Sequence, residues 1–102
     1  MKDSIRRRLE TTVERFEEVG ALLSDPEVIG KQSRFRDLSM EYARLEPVAR
    51  RFSEFRRLES ERCAAAEMAA GADAEMRTLA EDELRDLDAR LEAEALDLTR
   101  LL

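Results

Sequence analysis

The chain has 102 residues, of which 41% are charged and 5% aromatic, with a formal net charge of −6, no histidine and one cysteine, Cys63. That is room for a single domain with a thin core. It excludes an intrachain disulfide, a multi-cysteine metal site and any chemistry that needs an imidazole. No apolar run approaches the ~20 residues that span a bilayer. Three Gly and two Pro in a Leu-, Ala-, Glu- and Arg-rich chain point to long helices. The basic start, "MKDSIRRRLE", has no apolar stretch after it and does not read as a secretory signal. Cys63, in "RCAAAEM", reads as a small packed side chain, since no histidine is present to activate it.

A first helix is predicted over about 4–23, with Ser4 as its N-cap. Ile5, Leu9, Val13, Phe16, Gly20 and Leu23 repeat at steps of four and three and lay an apolar stripe along it. In "SDPE", Pro26 disfavours helical backbone at Asp25. Asp25 is therefore expected to cap a second helix, with Pro26 at its first position and Glu27 complementing the helix dipole. That helix is expected over 26–70, Gly30 dividing a short turn at 26–29 from a long part beginning near Lys31. Its stripe is Phe35, Leu38, Tyr42, Leu45, Val48 or Ala49, Phe52, Phe55 and Leu58, and it passes straight through Pro47. Proline removes a backbone bond inside a helix. The unbroken stripe favours a helix kinked near 46–47 over one that stops and restarts there. Gly71 is expected just past the helix end.

Asp73 and Glu75 repeat the capping pattern for a third helix over about 74–101. Its stripe is Met76, Leu79 with Ala80, Leu84, Leu87, Leu91, Ala95, Leu98 and Leu101 or Leu102. Glu81–Arg85 and Asp86–Arg90 are acid-before-base pairs at four-residue spacing. The pattern stops in mid-stripe at "LTRLL", which predicts that the natural chain continues beyond it. At the usual rise the three helices measure about 30, 60 and 43 Å, and short connections make neighbours antiparallel. The expected fold is all-α: an elongated antiparallel three-helix bundle or coiled-coil hairpin with a long central helix.

Charge is unevenly distributed. Residues 1–62 hold fourteen Lys/Arg against thirteen Asp/Glu, and residues 63–102 hold four against eleven. Any contact with nucleic acid is therefore expected in the first two thirds. The most distinctive basic segment is "ARRFSEFRR", where Arg50, Arg51, Arg56 and Arg57 flank two phenylalanines. One reading is contact with RNA phosphate. The other is a core stripe of Phe52 and Phe55 between solvated arginines, with Glu54 and Glu59 available as partners. Arg6, Arg7 and Arg8 read as a solvated run. The acidic "AEDELRDLD" reads as a solvated helix face, so no metal site, cofactor or catalytic residue is expected.

The stretch "LLSDPEVIGKQSRFRDLSMEYARLEPV" resembles the N-terminal domain of bacterial class-I peptide chain release factors. The resemblance is carried by Leu23–Val28, by Arg34, Phe35, Leu38, Ser39, Glu41, Tyr42 and Ala43, and by Leu45–Val48. The segment from Asp73 on is similar to the same family, with Ala74 where proline is common. The details are closer to the branch that reads UAA and UAG. The resemblance implies a cytoplasmic protein that acts on the ribosome in translation termination. Its first domain is a helical arm near the stalk-base RNA and protein, in interplay with the class-II GTPase factor, without membrane or DNA partners. The family's Gly-Gly-Gln loop and codon-reading tripeptide are not among these residues, so the resemblance implies no catalytic residue and no enzymatic activity here. A free-standing helical adaptor, or an oligomeric coiled-coil scaffold dimeric in isolation, is the alternative.

Overall fold

A computed structural model describes residues 1–71 and 73–102, and all secondary structure among them is helical. In chain order the helices are α1 (Asp3–Leu22), α2 (Pro26–Ile29), α3 (Gln32–Ala69) and α4 (Ala74–Leu101). The all-α fold expected from periodicity is the fold observed. The chain divides into two compact units, residues 1–52 and 53–102. No helix among the described residues is long and apolar enough to cross a membrane.

The first unit holds α1, α2 and the opening turns of α3. The N-cap position of α1 is Lys2, whose side chain makes no capping bond; Ser4, the expected cap, lies one residue inside the helix. Asp25 caps α2 as expected, accepting from the Glu27 amide at 2.9 Å with Pro26 at the first position. Gly30 ends that single turn in right-handed helical conformation (φ −72°), so the Asp25–Gly30 elbow needs no left-handed glycine. Val19, Val28 and Leu38 form the buried centre of the unit, with Leu22, Leu23 and Tyr42 packed against it. The Phe16 and Tyr42 rings stack with centroids 4.5 Å apart. A Cβ on Gly20 would stand 3.5 Å from the Tyr42 ring, so a small residue there lets the ring lie close to α1. The order of these contacts, with Arg6 over Phe52, Phe16 on Tyr42 and Val19 by Leu38, sets α1 antiparallel to α3.

In the second unit α4 returns along the later turns of α3. Leu58, Ala65 and Leu87 form its buried cluster, with Leu84 and Leu91 against them. Ala65 and Ala80 are buried small residues, which permit a close approach of the two helix axes. Asp73 caps α4 as expected, accepting from the Glu75 and Met76 amides.

Helix α3 is unbroken through Pro47. The missing proline N–H leaves the Ala43 carbonyl without its usual partner. Ala43 and Pro47 both face solvent, where water can take that bond, so the helix tolerates the proline. Its last turn tightens, the Ala70 amide reaching both Ala66 and Glu67 carbonyls, and no described glycine adopts positive φ; Gly71 is not a left-handed cap.

Several expected core positions are displaced. Phe35 is 39% exposed, and Met76 and Leu79 are exposed as well, while Val19, absent from the predicted stripe, is fully buried. Cys63 is exposed rather than packed. Arg85 pairs with Asp82, three residues before it, instead of Glu81.

Burial ranks the consequences of truncation. Phe52 is fully buried, so Phe52→Ala is expected to cost about 3–5 kcal/mol in urea denaturation, whereas Phe35→Ala costs under about 1 kcal/mol. Removing either cap, Asp25→Ala or Asp73→Ala, is expected to cost about 0.5–2 kcal/mol in the same measurement.

Candidate nucleic-acid interface

A carboxylate beside an arginine offsets the positive field that the arginine presents to an RNA phosphate. Arg50, at the end of the first unit, is well exposed and pairs with Glu46 at 3.3 Å. Arg51 is half-buried and has interactions of its own. In the second unit Arg57 is forked between two glutamates of its own helix: Nε donates to Glu54 at 2.9 Å and Nη1 donates to Glu61. The Arg57 hydrogen bonds hold the Glu54 carboxyl below the usual carboxylate range and push the guanidinium pKa up. Arg56 is exposed and also engaged. Phe52 and Phe55 are buried, so neither ring is available to stack on a base. The core-stripe reading of "ARRFSEFRR" describes its phenylalanines, and Glu46, Glu54 and Glu61 are the partners seen for Arg50 and Arg57.

Of the amino-terminal run, Arg6 lies over the Phe52 ring at 5.9 Å from its centroid, a cation–π contact near the outer limit of the interaction. Arg7 and Arg8 are exposed.

Two further ion pairs join helices rather than neighbours within one. In the first unit Arg15 meets Glu41 in a two-bond fork, Nε to Oε2 and Nη2 to Oε1, both 2.7 Å, and its Nη1 donates to Glu18 at 2.9 Å. The parallel geometry suits the planar guanidinium. These hydrogen bonds hold the Glu41 carboxyl below its ordinary value, against the opposing effect of burial. In the second unit Arg62 donates to Asp88 from Nε and, at a longer 3.4 Å, from Nη2, which likewise lowers the Asp88 pKa.

Beside the Arg15–Glu41 fork a cleft of about 500 Å³ opens between α1 and the start of α3. Arg15, Lys31, Ser33, Arg34, Asp37, Leu38 and Glu41 line it. Lys31 and Arg34 are exposed and make no ion pair with a described residue. Sequence reasoning did not single out these two. The signal was the Gly30 break, which places Lys31 at the mouth of the elbow, but the cleft itself depends on where α1 runs. Among the described residues no group of three or more His, Cys, Asp or Glu is arranged to hold a metal ion.

The Arg15–Glu41 pair has a defined pH signature. Folding lowers the Glu41 pKa, so the pair's contribution is complete above the unfolded-state value near 4.5 and is lost as pH falls through the lower folded value. Stability is therefore expected to drop on acidification below about 4.5. Arg15→Gln should make that acid limb shallower, as read from urea midpoints between pH 3 and pH 7.

A family model described as the PCRF domain matches residues 12–102. No solved structure matches the chain. The match takes in all of the second unit and most of the first, including the "SDPE" elbow and the α1–α3 cleft. The chain belongs to the PCRF-domain family, that of class-I peptide chain release factors, and its function is release-factor-like, in translation termination.

Proposed function

We propose that the chain is the N-terminal helical domain of a cytoplasmic release factor that acts at UAA and UAG, and that it positions the factor near the ribosomal stalk base, in interplay with the class-II GTPase factor. The family match over residues 12–102 carries the reading, and the "SDPE" and "RFRDLSMEYARLEP" segments supply the finer assignment to the UAA/UAG branch. On this reading the domain is a binding and positioning element. It contributes no group to hydrolysis of the peptidyl-tRNA ester, which falls to a Gly-Gly-Gln loop that these residues lack. The physical properties support a lever-like role: paired surface charges, apolar seams at helical spacing, and capped helix starts at Asp25 and Asp73.

Codon choice is tested with the protein encoded by the gene that carries this segment. Peptide release from ribosome complexes programmed with each of the three stop codons is expected at UAA and UAG and to be near background at UGA. Release at UGA without release at UAG would overturn the branch assignment. A wild-type rate of release from a variant lacking residues 1–102, with unchanged KM for the ribosome complex, would overturn the positioning role.

A further inference from the structure

We propose that the cleft between α1 and the start of α3 is a site for an RNA phosphate, with Lys31 and Arg34 as its cations and Ser33 as a hydroxyl donor. The inference rests on the ribosome-directed reading above and deepens it by naming the surface and the chemical group it takes.

Net charge selects the unit. Residues 1–52 carry eleven Lys/Arg against ten Asp/Glu, and residues 53–102 carry seven against fourteen. A polyanion is repelled by the second unit and tolerated by the first. Within the first unit, prior engagement then selects the residues. Arg15 is held by Glu41 and Glu18, Arg50 by Glu46, and Arg6 lies over Phe52. A carboxylate partner offsets the positive field of Arg15 and of Arg50. Lys31 and Arg34 are exposed and pair with no described carboxylate.

Concavity separates these two from other exposed cations such as Arg7 and Arg8. Lys31, Ser33 and Arg34 all line the cleft of about 500 Å³, and low-dielectric walls focus the field of the charges that line them. Two carboxylates also line it. Glu41 is neutralised by the Arg15 fork, which leaves Asp37 against two cations and the cleft with one net positive charge. Leu38, the only apolar side chain in the lining, is itself buried in the core. The donor set of ammonium, guanidinium and hydroxyl matches phosphate oxygens.

The test is equilibrium binding of the fluorescently labelled chain to purified large ribosomal subunits, followed as a function of KCl concentration. Removing one cation–phosphate interaction reduces the slope of log K against log[salt] by about 0.7–0.9. Lys31→Gln/Arg34→Gln is expected to reduce the slope by between one and two and to weaken binding at low salt several-fold. Asp37→Asn is expected to tighten binding. Arg50→Gln/Arg57→Gln, which removes cations already paired, is expected to leave the slope unchanged. All of these positions face solvent, and circular dichroism checks that the variants stay helical. An unchanged slope in Lys31→Gln/Arg34→Gln with binding intact would overturn this inference alone. Protein-free large-subunit RNA is expected to compete with the subunits, and less well once Lys31 and Arg34 are replaced; failure of that RNA to compete would overturn RNA as the occupant. Failure of the wild-type chain to bind large subunits at all would overturn both this inference and the positioning role, whereas codon-specific release by the full protein tests the family function independently.

Discussion

The structure of the first unit depends on the register in which α1 returns against α3 across the Asp25–Gly30 elbow. The elbow alone reverses the chain, and sliding one helix past the other by a turn would still leave leucines facing valines. The register is specified where unlike groups must meet. The Arg15 guanidinium makes its two-bond fork with Glu41, and the Phe16 and Tyr42 rings stack beside Gly20. A half-exposed ion pair contributes little net stability, and a stacked aromatic pair contributes about 0.5–1.5 kcal/mol beyond its buried area. Their importance lies in discriminating between registers that the apolar seam alone leaves close in energy. The alignment also sets the cleft, because Arg15 and Glu41 form one side of it.

Several cations of this highly charged chain are already paired. Arg15, Arg50, Arg57, Arg62 and Arg85 have carboxylate partners on their own or a neighbouring helix, which spreads the charge and keeps the faces solvated without a strong field. Lys31 and Arg34, by contrast, are exposed beside the elbow and make no ion pair with a described residue. The acidic excess lies in the second unit.

How much could be read in the sequence follows the range of the interactions involved. Asp25 and Asp73 were legible as caps because a cap is settled within three residues, and the start of α4 followed from the same local pattern. The passage of α3 through Pro47 was legible because the apolar stripe keeps its phase on both sides. Phe35, Met76 and Leu79 also keep the helical period, yet they are exposed. Periodicity says which face a residue occupies and not how far the neighbouring helix covers that face. Val19 escaped notice because Gly20 satisfied the same step in the stripe, although the residue beside it is the one that fills the core. The arginines of "ARRFSEFRR" were visible, and Glu54 was among their expected partners, but the Glu61 partner of Arg57 depends on side-chain geometry. The Lys31–Arg34 cleft lay beyond sequence reasoning altogether, since it exists only once α1 is laid beside α3.

The register of α1 on α3 is most directly tested by NMR on the labelled chain. The account predicts nuclear Overhauser contacts between the Phe16 and Tyr42 ring protons and between the methyl groups of Val19 and Leu38. Contacts from Tyr42 to Leu9 or Val13 in their place, the pattern of a helix displaced by one or two turns, would contradict the account and remove the cleft with it.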